Sequence, residues 1–192
     1  MPFQWRLLCD TLWPEPRSQT KLLQMIQPEL YKNTHLLLSY KNPAVKDSIR
    51  NNKFHFHKQS AKQLASVCDH FFRRYPTATI IPVPSSTNRE RQRGYQHLLN
   101  ILQYCEHRNQ VRIDILKKQT NTPQQSHVSK KIRLRQQVGS FGCNTERIHT
   151  LAPTVILFDD VVTTESTIAA ARAALTPHLQ PGTKLICFAI AH

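Results

Sequence analysis

Residues 155–175 read VILFDDVVTTESTIAAARAAL. An apolar run ends in two adjacent carboxylates, Asp159 and Asp160. Hydroxyl side chains follow at Thr163, Thr164, Ser166 and Thr167, with Glu165 among them, and then comes an alanine-rich helical pattern. In a parallel α/β sheet, ligands bind outside the carboxyl ends of the strands. The free N–H groups at a helix start attract anions, and hydroxyls there add donors. Adjacent carboxylates can accept from vicinal hydroxyls or hold water-coordinated Mg2+. The spacing therefore predicts a pocket for a sugar carrying a phosphate at one end. The ordinary alternative is a strand-to-helix turn whose Asp and Thr only cap. The amount of matched context favours the pocket.

The elements that must position this segment can be read on either side of it. The continuous apolar run at 154–158 predicts a strand buried on both faces. Residues 166–175 read as a helix and 183–191 as a final strand. Upstream, 34–40 and 78–84 have the length and composition of strands, and VRIDIL (111–116) of another. PAVKDSIRNN (43–52) places Pro at a helix start. In KQSAKQLASVCDHFFRRY (58–75), Ala61, Leu64, Ala65, Val67, Cys68, Phe71 and Phe72 fall on one broad helical face. Residues 89–107 read as mostly helix, and 3–13 and 18–27 as short helices. Strands alternate with helices, which predicts an α/β domain with a parallel sheet.

Composition bounds the chemistry. The chain has 192 residues, a formal charge of +14 and only 4 glycines. So few glycines exclude the G-x-G-x-x-G dinucleotide loop and the P-loop. The charge predicts an anionic partner: nucleic acid, a phosphorylated small molecule or an acidic surface. Residues 1–150 carry 24 basic and 9 acidic side chains, whereas 151–192 carry 2 and 3. Lys117, Lys118, Lys130, Lys131, Arg133 and Arg135 flank the polar stretch TNTPQQSHVS, which predicts a basic loop. Such a loop can close over a phosphate-rich ligand, although a solvated charge run explains the same residues. Five widely spaced cysteines without a C-x-x-C argue against a disulfide framework and a cysteine-based zinc site, and predict free thiols. The pair His55 and His57 has no carboxylate or cysteine near it and predicts packing rather than metal binding. No stretch is long and apolar enough for a membrane span. The N-terminus, interrupted by Arg6 and Asp10, lacks a signal sequence. Cytoplasmic location is the expectation, with no membrane insertion.

Residues 155–167 resemble the 5-phosphoribosyl-1-pyrophosphate (PRPP) motif of type I phosphoribosyltransferases: four apolar residues, two acids, and a loop that usually ends Thr-Thr-Gly-x-Thr. Here Glu165 replaces the glycine. Three further blocks resemble the competence-protein-F-like (ComF/GntX) branch. They are LLLSYKNPAVKDSIRNNKF (36–54), IIPVPSSTNRERQRGYQHL (80–98) and LKKQTNTPQQSHVSKKIRLRQQVGSF (116–141). Gln96-His97 stands in place of that family's Asn-Gln, and Gln136 in place of an Asn. LLCDTLWPEP (7–16) resembles the approach to the family's four-cysteine zinc module, but only Cys9 is present, so no structural zinc is expected.

The resemblance implies a type I phosphoribosyltransferase fold: a parallel sheet flanked by helices, with a small hood around 30–57. It implies a short N-terminal helical attachment (1–30) ahead of a phosphoribosyltransferase-like domain (31–192). It implies that Asp159 and Asp160 hold the ribose 2- and 3-hydroxyls as the catalytic pair. Thr163, Thr164, Glu165, Ser166 and Thr167 would form the PRPP phosphate loop. Pro84, Ser85, Arg93 and Lys53 would serve the pyrophosphate side. Lys118, Lys130 and Arg133 would belong to a closing loop. Mg2+ would accompany PRPP, or another phosphorylated ribose, with no protein side chain assigned to the metal. Two functions follow as expectations: phosphoribosyl transfer to an unspecified acceptor, or a catalytically weak protein binding single-stranded DNA in DNA uptake, in contact with the uptake machinery. Glu165 sets a carboxylate where a phosphate dianion is expected, and like charges repel there.

Overall fold

The computed structural model describes residues 21–85, 94–119, 140–164 and 166–192. Its core is a five-stranded sheet built from β1 (Glu29–Tyr31), β2 (Thr34–Leu38), β3 (Thr79–Pro82), β6 (Thr154–Val161) and β7 (Lys184–Ala191), in the order β1-β2-β7-β6-β3. β4 (Leu116–Lys118) and β5 (Phe141–Cys143) form a separate two-stranded antiparallel ribbon. The helices are α1 (Pro43–His55), α2 (Lys58–Phe72), α3 (His97–Leu102) and α4 (Ser166–Leu175). The β2–β7, β7–β6 and β6–β3 pairs are parallel, as expected. The sheet is nevertheless mixed, because β1 runs antiparallel to β2. Only Lys32 and Asn33 join the two strands, and a connection that short can reverse the chain but cannot cross over. Lys32 takes the tight turn at φ 52°.

Connection direction explains the layers. The chain crosses from β2 to β3 at the far edge of the sheet, then steps back through β6 to β7. Right-handed crossovers in opposite directions deposit helices on opposite faces. On one face, α1, α2 and α3 pack over Ile80, Ile156, Phe158 and Phe188. Phe71 of α2 lies flat on Phe188, with ring centroids 4.0 Å apart and planes 7° from parallel. On the other face, Ile168 and Ala171 of α4, with Leu116 and Phe141 of the ribbon, cover Ile81, Val155 and Leu157. Val155 to Phe158 are fully buried, as a strand covered on both sides requires.

Several boundaries differ from the sequence reading. Residues 30–57 do not stand apart as a hood, because β2 is an inner strand of the main sheet and Val45 and Ile49 of α1 sit in the core. Leu30 and Tyr31, on either side of the expected attachment boundary, share β1. Within 18–27, the described residues contain only a 3-10 turn at Leu23–Met25. The expected helix over 89–107 is, in its described part, the short α3, preceded by Gly94 at φ 74° and followed by a turn. The strand expected at 111–116 is replaced by a single bridge from Val111 to Ile80, with β4 starting at Leu116. Between them Arg112 pairs with Asp114, two residues on, at 2.8 and 2.9 Å, which turns the chain out of the sheet.

Candidate functional site

β6 carries Asp159 and Asp160 to the carboxyl end of the sheet. Successive strand residues point to opposite faces, so the two carboxylates part company. Asp160 shares the face of Ile156 and Phe158, under α1 and α3, whereas Asp159 shares the face of Val155 and Leu157, toward α4. β3 leads on to α3 and β6 to α4, on opposite faces, so the crevice between these strand ends is where open α/β sheets place ligands.

Asp160 is 2% exposed and fully engaged. Lys53 Nζ, from the last turn of α1, lies 3.1 and 3.2 Å from its two oxygens. His97 Nε2, at the start of α3, lies 3.3 Å from Oδ2. The backbone N–H of Val161 donates to Oδ1 at 2.9 Å. Burial alone would raise the Asp160 pKa, but the His97 hydrogen bond and charge, with the Lys53 ammonium beside it, hold it well below the ordinary carboxylate range. A polar brace locks these donors in place. Asn52, fully buried, donates through Nδ2 to the His97 carbonyl at 3.0 Å and accepts from Asn100 Nδ2 at 2.7 Å. Tyr95 donates its hydroxyl to the Asn52 carbonyl at 2.6 Å and accepts from the Phe56 N–H at 2.9 Å.

Asp159 is half-buried, and the Lys53 charge favours its ion less than burial and Asp160 favour its acid. Its Oδ1 accepts from the Asp160 N–H at 2.9 Å. Burial, and then the neighbouring charge of Asp160, push its pKa up to about 8. Asp159 lines a shallow cleft with Thr163, Thr164, Ser166 and Thr167. Thr164 Oγ1 and Ser166 Oγ are 2.9 Å apart across the turn into α4. The cleft encloses about 20 Å³, so a ligand would rest on it rather than inside it. An acid whose ionised form is under-compensated, beside a row of hydroxyls and a helix start, suits a ligand offering hydroxyl hydrogens and an anionic group. Among the described residues no cluster of three or more His, Cys, Asp or Glu could hold a metal ion.

A larger cavity, about 300 Å³, opens beyond the end of β3. Pro84 and Ser85 line it with Lys117, Lys118 and the buried His97. The structure therefore gathers Lys53 with Asp160, sets Asp159 against the hydroxyl row, and brings Pro84 and Ser85 to Lys118. Glu165, Arg93, Lys130 and Arg133 lie outside the described residues. His97, Asn52 and Asn100 were not among the expected site residues, whereas Tyr95 was expected only as an aromatic that could stack on single-stranded bases. Helical periodicity hides the first three, because buried polar side chains at core-facing positions read as interruptions of an apolar stripe. The one available signal was polarity: Asn52 follows the apolar positions Val45 and Ile49 at helical spacing. His55 and His57 do not face each other as ligands. His57 caps α2, its Nδ1 accepting from the Ser60 N–H at 3.3 Å. Cys68, Cys105, Cys143 and Cys187 are free thiols. No described helix is long and apolar enough to cross a membrane.

No family model matches the chain, and no curated protein matches it.

Proposed function

We propose that this chain is a ComF-like, type I phosphoribosyltransferase-related protein that binds PRPP with Mg2+ and passes its phosphoribosyl group to an acceptor. The observation that carries the reading is the placement of Asp159, an under-compensated carboxylate on a strand end, against the Thr163–Thr167 hydroxyl row at the start of α4. In this reading Asp159 accepts from the ribose hydroxyls, and the turn into α4 takes the 5-phosphate through N–H and hydroxyl donors. Asp160 acts as a positioning residue that fixes Lys53 and His97. The bond from C1 to pyrophosphate breaks as the bond to the acceptor forms. Pyrophosphate leaves with the electron pair, and no covalent nucleophile is required. Mg2+ would neutralise charge on the departing pyrophosphate. PRPP with Mg2+ is expected to raise the melting temperature of the wild-type protein, ribose 5-phosphate to raise it less, and Asp159→Asn to lose the PRPP effect. No PRPP-dependent shift at millimolar Mg2+ would remove the proposal.

A second reading, binding of single-stranded DNA, is favoured by a specific surface. Phe54 and Phe56 are 54% and 52% exposed, beside Lys53, and Phe56 meets Tyr95 edge-on at 4.8 Å. Exposed rings on a basic body are platforms on which bases stack.

A further inference from the structure

The cavity beyond β3 has a chemistry unlike that of the cleft at Asp159. Its walls mix apolar and polar residues: Val83, Leu98, Leu99, Ile113 and Leu116 line it together with Ser85, Gln96 and His97. Ile113, in the segment that leaves the sheet after Val111, is 60% exposed. Lys117 and Lys118 of β4 supply charge, and among the described lining residues none is acidic. Lys118 is held in place, with Nζ 4.3 Å from the centroid of Phe141, its cross-strand partner. The back wall is His97, itself braced by Asp160 and Asn52. The volume reaches the lower end of small-molecule sites, which are mostly apolar with a few placed polar groups.

An aliphatic wall beside two lysines complements a ligand with an apolar body and one anionic group, whereas a polyphosphate would use the lysines and leave that wall uncovered. We propose that this cavity binds an organic acid with a ring-sized apolar body, its carboxylate or equivalent anion meeting Lys117 and Lys118. Resting on the transfer reading above, this ligand class is that of the phosphoribosyl acceptor. His97 places the cavity one side chain away from the Asp160–Lys53 pair at the end of β6.

The test is calorimetric titration of the full chain, without PRPP, using 2-naphthoate, its neutral counterpart 2-naphthalenemethanol, and inorganic pyrophosphate. Saturable naphthoate binding is expected, at least tenfold tighter than the alcohol. It should weaken at least tenfold in Lys117→Gln/Lys118→Gln and in Leu99→Trp, which fills the cavity from a half-buried position. It should persist in Asp159→Asn. Equal binding of the alcohol, indifference to both variants, or pyrophosphate binding lost in the lysine variant without naphthoate binding would overturn the inference. Naphthoate binding by a protein that ignores PRPP would remove the transfer reading while leaving the ligand class of the cavity standing.

Discussion

At Asp159 both burial and the charge of Asp160 favour the neutral acid, whereas at Asp160 the His97 and Lys53 contacts favour the ion. Opposite pH signatures follow. The raised pKa of Asp159 means that the folded chain keeps a proton the unfolded chain releases. Its favourable contribution is present below the ordinary carboxylate pKa and is lost as pH rises to about 8. Asp159→Asn should therefore raise thermal stability at neutral pH by about 1–2 kcal/mol, a few degrees in Tm, with the gain vanishing in acid. Asp160 works the other way: its contribution stands above the ordinary carboxylate pKa and disappears as pH falls below it. Asp160→Asn should destabilise at pH 7, and melting curves of the two variants across pH 4–8 separate the cases. A gain in stability from removing a carboxylate is the mark of a residue retained for a ligand rather than for the fold. Glu165→Gly should tighten PRPP binding by relieving like-charge repulsion, as a titration of that variant beside wild type would read.

At the scale of elements, α1 and α3 meet through amides rather than through apolar contact alone. Asn52 spans them, with His97 on one side and Asn100 on the other. Asn52→Ala would leave those buried partners unsatisfied, at a cost of about 2–3 kcal/mol. Hydrogen exchange should then quicken in α3 before it quickens in β6. Much of this layer was legible in the sequence. The apolar run at 154–158 announced β6, the broad face of 58–72 announced α2, and Ser166–Leu175 matched α4 to the residue. What escaped was set by long-range or purely local geometry. β1 follows from a two-residue reversal without a strong turn signature, and α3 closes at Leu102, where the Tyr104 N–H turns to the Ile101 carbonyl at 3.0 Å. The two acids are adjacent in sequence and look like one pair; only the pleat of β6, together with what covers each face, divides them. Lys53 came from family resemblance, and its 3.1 Å contact with Asp160 closes a 107-residue separation that no local pattern encodes.

For the whole molecule, +14 of charge is distributed so that the strand-helix-strand bearing the carboxylates is nearly neutral and the rest is basic. Long-range fields of that kind draw anions without selecting among them. If the exposed Phe54 and Phe56 surface takes single-stranded DNA, its affinity should fall steeply, by tenfold or more, between 50 and 200 mM salt. Phe54→Ser/Phe56→Ser should weaken it further at fixed salt, measured by fluorescence anisotropy of a labelled oligonucleotide. A salt-insensitive interaction would exclude that mode. A small ligand seated by fixed donors should be less sensitive to salt, because fewer counterions are released. In the proposed function, the end of β6 and the start of α4 form a phosphorylated-ribose site built on Asp159. Isothermal titration of PRPP with Mg2+ into wild type and Asp159→Asn tests it most directly. Saturable one-site binding in wild type, weakened at least tenfold in the variant while that variant melts higher, is the expected result. Equal binding by both proteins, or by neither, would contradict it.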